Sequence, residues 1–304
     1  MVKVLVTGGA GFIGSHLVEA LVAKKHDVTV LDNLSSGRVS NLSAVKDKIN
    51  FIKGDICDVN TVKKACEQQD VVFHLAAIAS VPYSVQHPLE AHEVNITGTL
   101  KVLIAARDAK VKRFVFSSSA AVYGDEPSLP KTENSPLRPM TPYALSKLAG
   151  EQYALIFHKI YGMETVALRY FNVFGPRQDP SSPYSGVITK FVTALKSGKQ
   201  PLIFGGGMQT RDFVFVSDVV QANLKAMSAK AAGKVFNIAT GVQVSIKEML
   251  VHLNEILNTK IAPKFEPAQK GDIVHSVADI SEAKKVLHFS PDVPFHEGLD
   301  LTVK

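Results

Sequence analysis

Thr7-Gly8-Gly9-Ala10-Gly11-Phe12-Ile13-Gly14 follows a run of apolar residues and precedes a helix-like segment. Glycines at 8, 11 and 14 stand in GxxGxxG spacing. Glycine permits a tight turn, lets backbone amides approach a pyrophosphate, and lets the following helix pack close to a sheet. The start of that helix adds partial positive charge and open N–H groups. Gly8, Gly11, Phe12, Ile13 and Gly14 are therefore candidate dinucleotide contacts. The run Val28-Thr29-Val30-Leu31-Asp32 then ends on a carboxylate, and Asn33 follows. A carboxylate there accepts hydrogen bonds from the ribose hydroxyls of an adenosine and repels a 2′-phosphate, which favours NAD over NADP. Arg38 is near enough in sequence to offer a phosphate contact instead.

Outward from this turn the chain alternates. Strand-like runs lie at 4–6, 28–31, 49–52, 71–75, 114–116 and 165–169. Helical segments lie between them at 13–23, 61–67 and 91–109. Such alternation predicts an α/β fold with a doubly wound parallel sheet covered on both faces. A further helix carries its own punctuation: Thr141 as N-cap, Pro142 at the first position and Gly162 as terminator. After Phe171 the texture changes to a polar loop, Gly175-Pro176-Arg177-Gln178-Asp179-Pro180, and shorter mixed elements. The expected organisation is a dinucleotide-binding domain over 1–170, to which 211–230 returns, and a smaller C-terminal α/β substrate lobe over 171–304.

The chain has 304 residues, 46% of them hydrophobic and 20% charged, with a net charge of +6. Its Lys and Arg are scattered, which argues against a nucleic-acid partner. No apolar run approaches the ~20 residues that span a bilayer, and a strand-like run starts directly after Met1. A cytoplasmic protein is expected, with no membrane contact. Cys57 and Cys66 lack metal-ligand spacing and are expected as small apolar residues; no metal site is expected.

Tyr143 and Lys147 are four residues apart on the capped helix and share a face. A phenol with a pKa near 10 is a poor base at neutral pH. A neighbouring ammonium favours the phenolate, and a base poised nearer the working pH is more effective. Ser117-Ser118-Ser119 ends the 114–116 strand, at the sheet end where ligands bind. Singly these are a surface pair and a loop. Together, after a dinucleotide turn, they form a catalytic set of Ser119, Tyr143 and Lys147.

At this point the chain resembles the extended short-chain dehydrogenases/reductases and, among them, the nucleoside-diphosphate-sugar 4-epimerases. The resemblance covers essentially the whole chain. It rests on TGGAGFIG at 7–14, Asp55-Ile56, Leu75-Ala76-Ala77, Asn95, SSSAAVYG at 117–124, YALSK at 143–147 and RYFNVFGPRQ at 169–178. It implies a tightly held NAD and a UDP-sugar, glucose/galactose or its N-acetylated counterpart, inverted at C4 through a 4-keto intermediate. It further implies that Asp55 and Ile56 lie beside the adenine and that Leu75–Ala77, Asn95 and Tyr170 line the cofactor. Tyr143 is then the acid/base, and Lys147 holds the nicotinamide ribose. Relatives that eliminate water carry an acidic residue after the catalytic Ser or Thr; here Ala120 and Ala121 follow. That argues against a 4,6-dehydratase, as Asp32 argues against an NADPH-consuming 4-reductase. A non-catalytic NAD-binding regulator on the same fold predicts a broken Ser/Tyr/Lys set, and the set is intact.

The resemblance places Asn172, Val187, Gly205, Gln209, Arg211, Asp272 and Ser276 around the substrate, with Ile188 beside Val187. An arginine fork suits a diphosphate. Two positions depart from the family pattern: Gln269 stands where many relatives have arginine, beside Lys270, and Ala79 stands where some have lysine. Ser276 falls at the gate beside the sugar's C2 group and leaves room for an N-acetyl group. Segments 91–109 and 142–161 resemble the pair that forms a four-helix bundle between two subunits, so a homodimer is expected.

Overall fold

In the computed structural model of the chain, residues 1–179, 186–268 and 273–304 are described. The chain opens with β1 (Lys3–Thr7), α1 (Phe12–Ala23), β2 (Asp27–Asp32), β3 (Ile49–Lys53), α2 (Val59–Cys66) and β4 (Val71–His74). Two short helices, α3 (Val81–Gln86) and α4 (Pro88–His92), lead through a π-helical turn at Glu93–Gly98 into α5 (Thr99–Asp108). Then come β5 (Arg113–Ser119), α6 (Pro142–Tyr161) and β6 (Glu164–Tyr170).

The remaining elements are β7 (Asn172–Phe174), α7 (Val187–Lys196), β8 (Leu202–Phe204), β9 (Thr210–Arg211), β10 (Phe213–Phe215), α8 (Val216–Ser228), β11 (Lys234–Ile238), β12 (Val244–Ser245), α9 (Ile246–Ile256), β13 (Lys264–Glu266), α10 (Ser281–Leu287) and α11 (Phe295–Val303). Seven strands form one parallel sheet in the order β11-β6-β5-β4-β1-β2-β3. This is the doubly wound arrangement. The order reverses between β1 and β4, and the crevice beyond the carboxyl ends of strands at such a reversal is where ligands sit.

The strands are apolar almost throughout because both faces are covered. Val4 and Val6 of β1 join a core with Leu17 and Leu21 of α1, Val219 of α8 and Leu287 of α10. Leu5, between them, faces Val62 of α2, Val102 of α5 and Phe157 of α6. The same alternation runs through β4, where Phe73 lies on the first side and Val72 on the second. It is the period-2 geometry of a strand buried on both sides. Within 211–230, α8 packs on the large sheet, and just beyond that segment β11 extends the sheet's edge beside β6. A third core unites Phe174, Phe191, Phe213, Met249, Leu253 and Leu299. It carries three two-stranded pieces: β7 with β10, β9 with β12, and β8 with β13.

The caps of α6 fix where its side chains fall. Thr141 Oγ1 accepts from Ala144 N at 3.2 Å, Pro142 occupies the first turn, and Gly162 ends the helix at φ 70°. That left-handed conformation favours glycine. The continuous helix expected over 91–109 is instead interrupted. Thr99 Oγ1 donates to Asn95 O at 2.7 Å, and Asn95 bonds both backbone groups of Ile78. Side-chain bonds that enter the helical ladder in this way accompany a widened turn.

Candidate active site

The glycine turn is shaped by contacts that leave no room for a side chain. Gly8, at φ +70°, lies so close to the β4 turn that a Cβ would stand 2.7 Å from Ala76 N. A Cβ on Gly14 would stand 2.1 Å from Gly8 O. Gly11 N donates to Gly8 O at 3.1 Å, and Gly11 is the N-cap of α1 with no side-chain cap. The first N–H groups of a helix have no intrahelical partner. The uncapped, glycine-lined start of α1 therefore suits the pyrophosphate of a dinucleotide. Leu75 N donates to Thr7 O, and Ala76 N to Thr7 Oγ1, so the Leu75–Ala77 turn rests directly on Gly8. Phe12 and Ile13, in the same turn, pack against the third core.

Asp32 is buried at the end of β2. Its Oδ2 accepts from Ala10 N at 2.9 Å and its Oδ1 from Leu34 N at 2.8 Å. It thus holds the glycine turn as well as standing where a ribose is expected. Asn33 donates to Asp55 Oδ2 at 2.9 Å, and Cys57 N to Asp55 Oδ1 at 2.7 Å. Burial opposes ionisation of Asp55, but these bonds outweigh it and hold its carboxyl below the usual range. Ile56 is buried against the π-helical turn, where a Cβ on Gly98 would meet its Cδ1 at 2.9 Å. Arg38 is engaged with Asp179 at 3.0 Å. Tyr170 is buried and its hydroxyl donates to Asn223 Oδ1 at 3.0 Å, so its polar end is turned into the protein. Both cysteines are free thiols pushed up by burial, Cys57 to about 11 and Cys66 to about 12.

Ser119 ends β5, and its Oγ accepts from Ala121 N at 3.2 Å. Tyr143 and Lys147 stand on successive turns of α6, with Lys147 Nζ 6.0 Å from the Tyr143 ring centroid. Lys147 Nζ donates to Ser117 O at 2.9 Å and lies 5.4 Å from the Phe116 ring. Burial pulls its pKa down to about 8. Burial also pushes the Tyr143 phenol up, while a hydrogen bond with Ser119 works the other way. Lys147 is thus anchored on the Ser117 carbonyl one turn from the phenol, and Ser119 is a second group that favours the phenolate.

Sequence reasoning missed the residues that grip Tyr143. Its backbone N–H donates to Ser84 Oγ at 3.1 Å, its carbonyl accepts from Ser146 Oγ at 2.8 Å, and Ser146 accepts from Asn95 Nδ2 at 3.0 Å. Asn95 thus reaches the catalytic helix, besides fixing Ile78. A serine three residues after a tyrosine inside YALSK was the available signal. Behind Ser119, Ser118 Oγ donates to Glu151 Oε2 at 2.7 Å, and Glu151 pairs with Arg169 at 2.6 Å in full burial.

On the substrate side the named residues are more open. Asn172 N and Nδ2 both donate to Asp212 O at 3.1 Å. Arg211 Nη1 donates to Thr210 O at 2.9 Å and Gln209 Nε2 to Phe204 O at 2.7 Å. Gly205 adopts φ +70° and its N–H donates to Glu266 O. Val187 is half-buried in the first turn of α7. Ile188, expected beside it at the base, is instead 2% exposed within the third core, because α7 turns that face inward. Ser276 N donates to Thr210 O at 3.2 Å, one residue from Arg211 along β9. Asp272, like Gln269 and Lys270, lies outside the described residues. Asp212 escapes sequence reasoning. Wholly buried, it accepts from Thr240 N, Thr240 Oγ1, Gly241 N and Ala278 N, and so pins the strands that carry Arg211.

Among the described residues no His/Cys/Asp/Glu group could hold a metal, and no helix is long and apolar enough to cross a membrane. Residues 4–239 match the NAD dependent epimerase/dehydratase family. The chain is 41% identical to a UDP-glucose 4-epimerase of Mycolicibacterium smegmatis, over 99% of this chain and 97% of that one. It superposes on a UDP-N-acetylglucosamine 4-epimerase of Methanobrevibacter ruminantium in complex with UDP-N-acetylmuramic acid. That match has a TM-score of 0.96 and 44% identity, over 99% of this chain and 97% of that chain. A UDP-glucose 4-epimerase of Thermotoga maritima with UDP-glucose matches at a TM-score of 0.95 and 40% identity, with the same coverage. The chain belongs to the NAD dependent epimerase/dehydratase family. Its cofactor is NAD, and the glycine turn and Asp32 fit that dinucleotide.

Proposed function

We propose that the chain is a UDP-hexose 4-epimerase that inverts the sugar's C4 hydroxyl through a transient 4-keto intermediate. The observation that carries this reading is Ser119 at the carboxyl end of β5, acting on the Tyr143 phenol in favour of its ionised form, with Lys147 one turn on and Ala120-Ala121 directly after the serine. Bound at the glycine turn and Asp32, NAD would supply reversible hydride chemistry at the sugar's C4. Tyr143 takes the proton of the 4-hydroxyl and gives it back, and Ser119 shares that bond. Lys147, anchored by Ser117, presents positive charge to the cofactor ribose. The sugar turns over between the two transfers, so Asn172, Arg211 and the Gly205 turn hold the nucleotide diphosphate while leaving the hexose unclamped. Gln209 and Val187 line the base and ribose. An acid/base for elimination is not provided by Ala120 or Ala121, which favours epimerisation over dehydration.

Ser276, half-buried beside Thr210, leaves space at C2, so plain and N-acetylated hexoses are both substrates. The protein also self-associates as a homodimer. A groove lined by Leu89, Ile96, Met140 and Leu145 lies between α4 and the start of α6, and Leu89 is 86% exposed. Ile160, farther along α6, is also exposed. Burying such residues on a second copy is favourable at roughly 25 cal/mol per Å² of apolar surface.

The purified protein is to be incubated with UDP-glucose and, separately, UDP-N-acetylglucosamine, without added cofactor, and the anomeric protons followed by NMR. Galacto-configured products are expected from both. No product even after NAD is supplied would remove the epimerase reading, and a 4-keto-6-deoxy product would replace it with dehydration.

A further inference from the structure

Between the glycine turn and the catalytic helix runs a line of buried side chains whose central member has no role in the chemistry above. Thr7 ends β1 beside the glycine turn, and its Oγ1 lies 2.7 Å from His74 Nδ1. His74 Nε2 lies 2.9 Å from Thr99 Oγ1. Thr99 donates to Asn95 O at 2.7 Å, Asn95 Nδ2 donates to Ser146 Oγ at 3.0 Å, and Ser146 donates to Tyr143 O at 2.8 Å.

The direction of every bond follows from its neighbours. The hydroxyl proton of Thr99 goes to Asn95 O, so Thr99 Oγ1 accepts from His74 Nε2–H. His74 Nδ1 is then the acceptor, and Thr7 Oγ1 donates to it while accepting from Ala76 N at 3.3 Å. One neutral tautomer satisfies the whole line. The imidazole is 1% exposed and lies between Phe114 and Phe116, with ring centroids at 5.8 and 6.0 Å.

An apolar side chain would fill this place in β4 equally well if packing alone were needed. The histidine instead joins two functional parts. At one end its partner Thr7 holds Ala76, against which Gly8 is pressed. At the other, Asn95 holds Ile78 and, through Ser146, the carbonyl of Tyr143. We propose that His74 is a positioning residue that ties the turns cradling NAD to the backbone of Tyr143, so that cofactor and base keep one register. This rests on the roles given to the glycine turn and Tyr143 above. Buried networks of this kind have large effects when cut, because a polar group left unpaired in a low-dielectric interior is costly, and small misplacements of a reacting group slow chemistry strongly.

The test uses the NAD-loaded protein as purified. Thr99→Val removes the central hydroxyl at constant size, Thr99→Ser keeps it, and Ser146→Ala cuts only the link to Tyr143. Leu253→Ala, in the third core, serves as a destabilised comparison. NAD content per chain and its release after dilution are read by absorbance and fluorescence, beside kcat and KM. Thr99→Val is expected to release NAD about tenfold faster and lower kcat about tenfold, with KM for the UDP-sugar unchanged, and Thr99→Ser to restore both. Ser146→Ala is expected to keep NAD and lower kcat alone, and it carries the test should Thr99→Val fold poorly. Wild-type NAD retention in Thr99→Val, equal NAD loss in Leu253→Ala, or unchanged kcat in Ser146→Ala would each overturn the proposal. Should wild type form no galacto product, the epimerase reading fails, while NAD release still separates Thr99→Val from Thr99→Ser.

Discussion

The cofactor side and the proposed substrate side of this molecule are built on different principles. Around the glycine turn and Tyr143, the polar groups that matter are buried and already bonded to one another. Asp32 holds two backbone amides, Asn95 holds Ile78 and Ser146, and His74 bridges Thr7 and Thr99. Around Asn172, Gln209 and Arg211 donors rest on nearby backbone carbonyls, at half-buried positions on two- and three-residue strands and, for Gln209, in the loop before β9. A carbonyl is a partner that a diphosphate can replace. The contrast suits the proposed chemistry: the cofactor stays through every cycle, whereas the sugar must enter, turn over and leave. Geometry that is never to change is prepaid in buried hydrogen bonds, and geometry that is remade each cycle is left near water.

The largest expected effect probes the rigid side. Burial, with the charge of Lys147, lowers the His74 pKa to about 3 from an ordinary 6.5. The unfolded chain therefore binds this proton first as pH falls, and stability rises with pH across that interval. The full benefit is present above pH 6.5 and is lost between 6.5 and 3, by about 5 kcal/mol from this group. Thermal unfolding against pH should show the loss. His74→Gln, whose amide offers one donor and one acceptor, should flatten it. Equal slopes would mean that the relay is not held neutral.

Next in size, Tyr143→Phe should reduce turnover about 10³-fold while NAD content and substrate affinity stay as they were. A parallel loss of NAD would show the phenol to be part of the scaffold rather than only of the chemistry. Gly14→Ala should destabilise by about 1–3 kcal/mol and empty the cofactor site, since its Cβ would meet Gly8 O at 2.1 Å; the NAD:protein ratio and Tm report it. Smallest, Arg211→Lys replaces a fork by a point charge and should raise KM for UDP-hexose about tenfold with NAD undisturbed. If that variant loses NAD, or Gly14→Ala raises KM alone, the division into a fixed and a remade half does not hold.

What the sequence discloses divides along another line, between local signals and long-range partners. The turn at 7–14 and the caps at Thr141 and Gly162 are local signals, since glycine spacing and capping act within a few residues. Tyr143 and Lys147 are legible because a helix turns four-residue spacing into a shared face. His74, by contrast, reads as one more residue of a buried strand, because its partners lie 67 and 25 positions away. The π-helical turn that aims Asn95 is set by Ile78 and Thr99 and is invisible to periodicity, so 91–109 reads as one helix. Ile188 reads as ligand-lining because Val187 and Ile188 look alike until the helix face is known. β11 escapes for another reason: Lys-Val-Phe-Asn-Ile is too short a run to announce a strand without β6 beside it.

That last strand bears on how the gene can be cut. The sheet receives its edge from 234–238 and one of its covering helices from 216–228, after the chain has already traversed β7 through β10. Shuffling at residue 170 would not release a cassette. It would strip β6 of its neighbour and uncover Val219, Ala222 and Phe236 from the core they share with β1. The third core is likewise drawn from both sides of β11, Phe174 to Phe215 before it and Val244 to Val303 after it, so new specificities on this scaffold are best sought by exchanging loops rather than by transplanting halves.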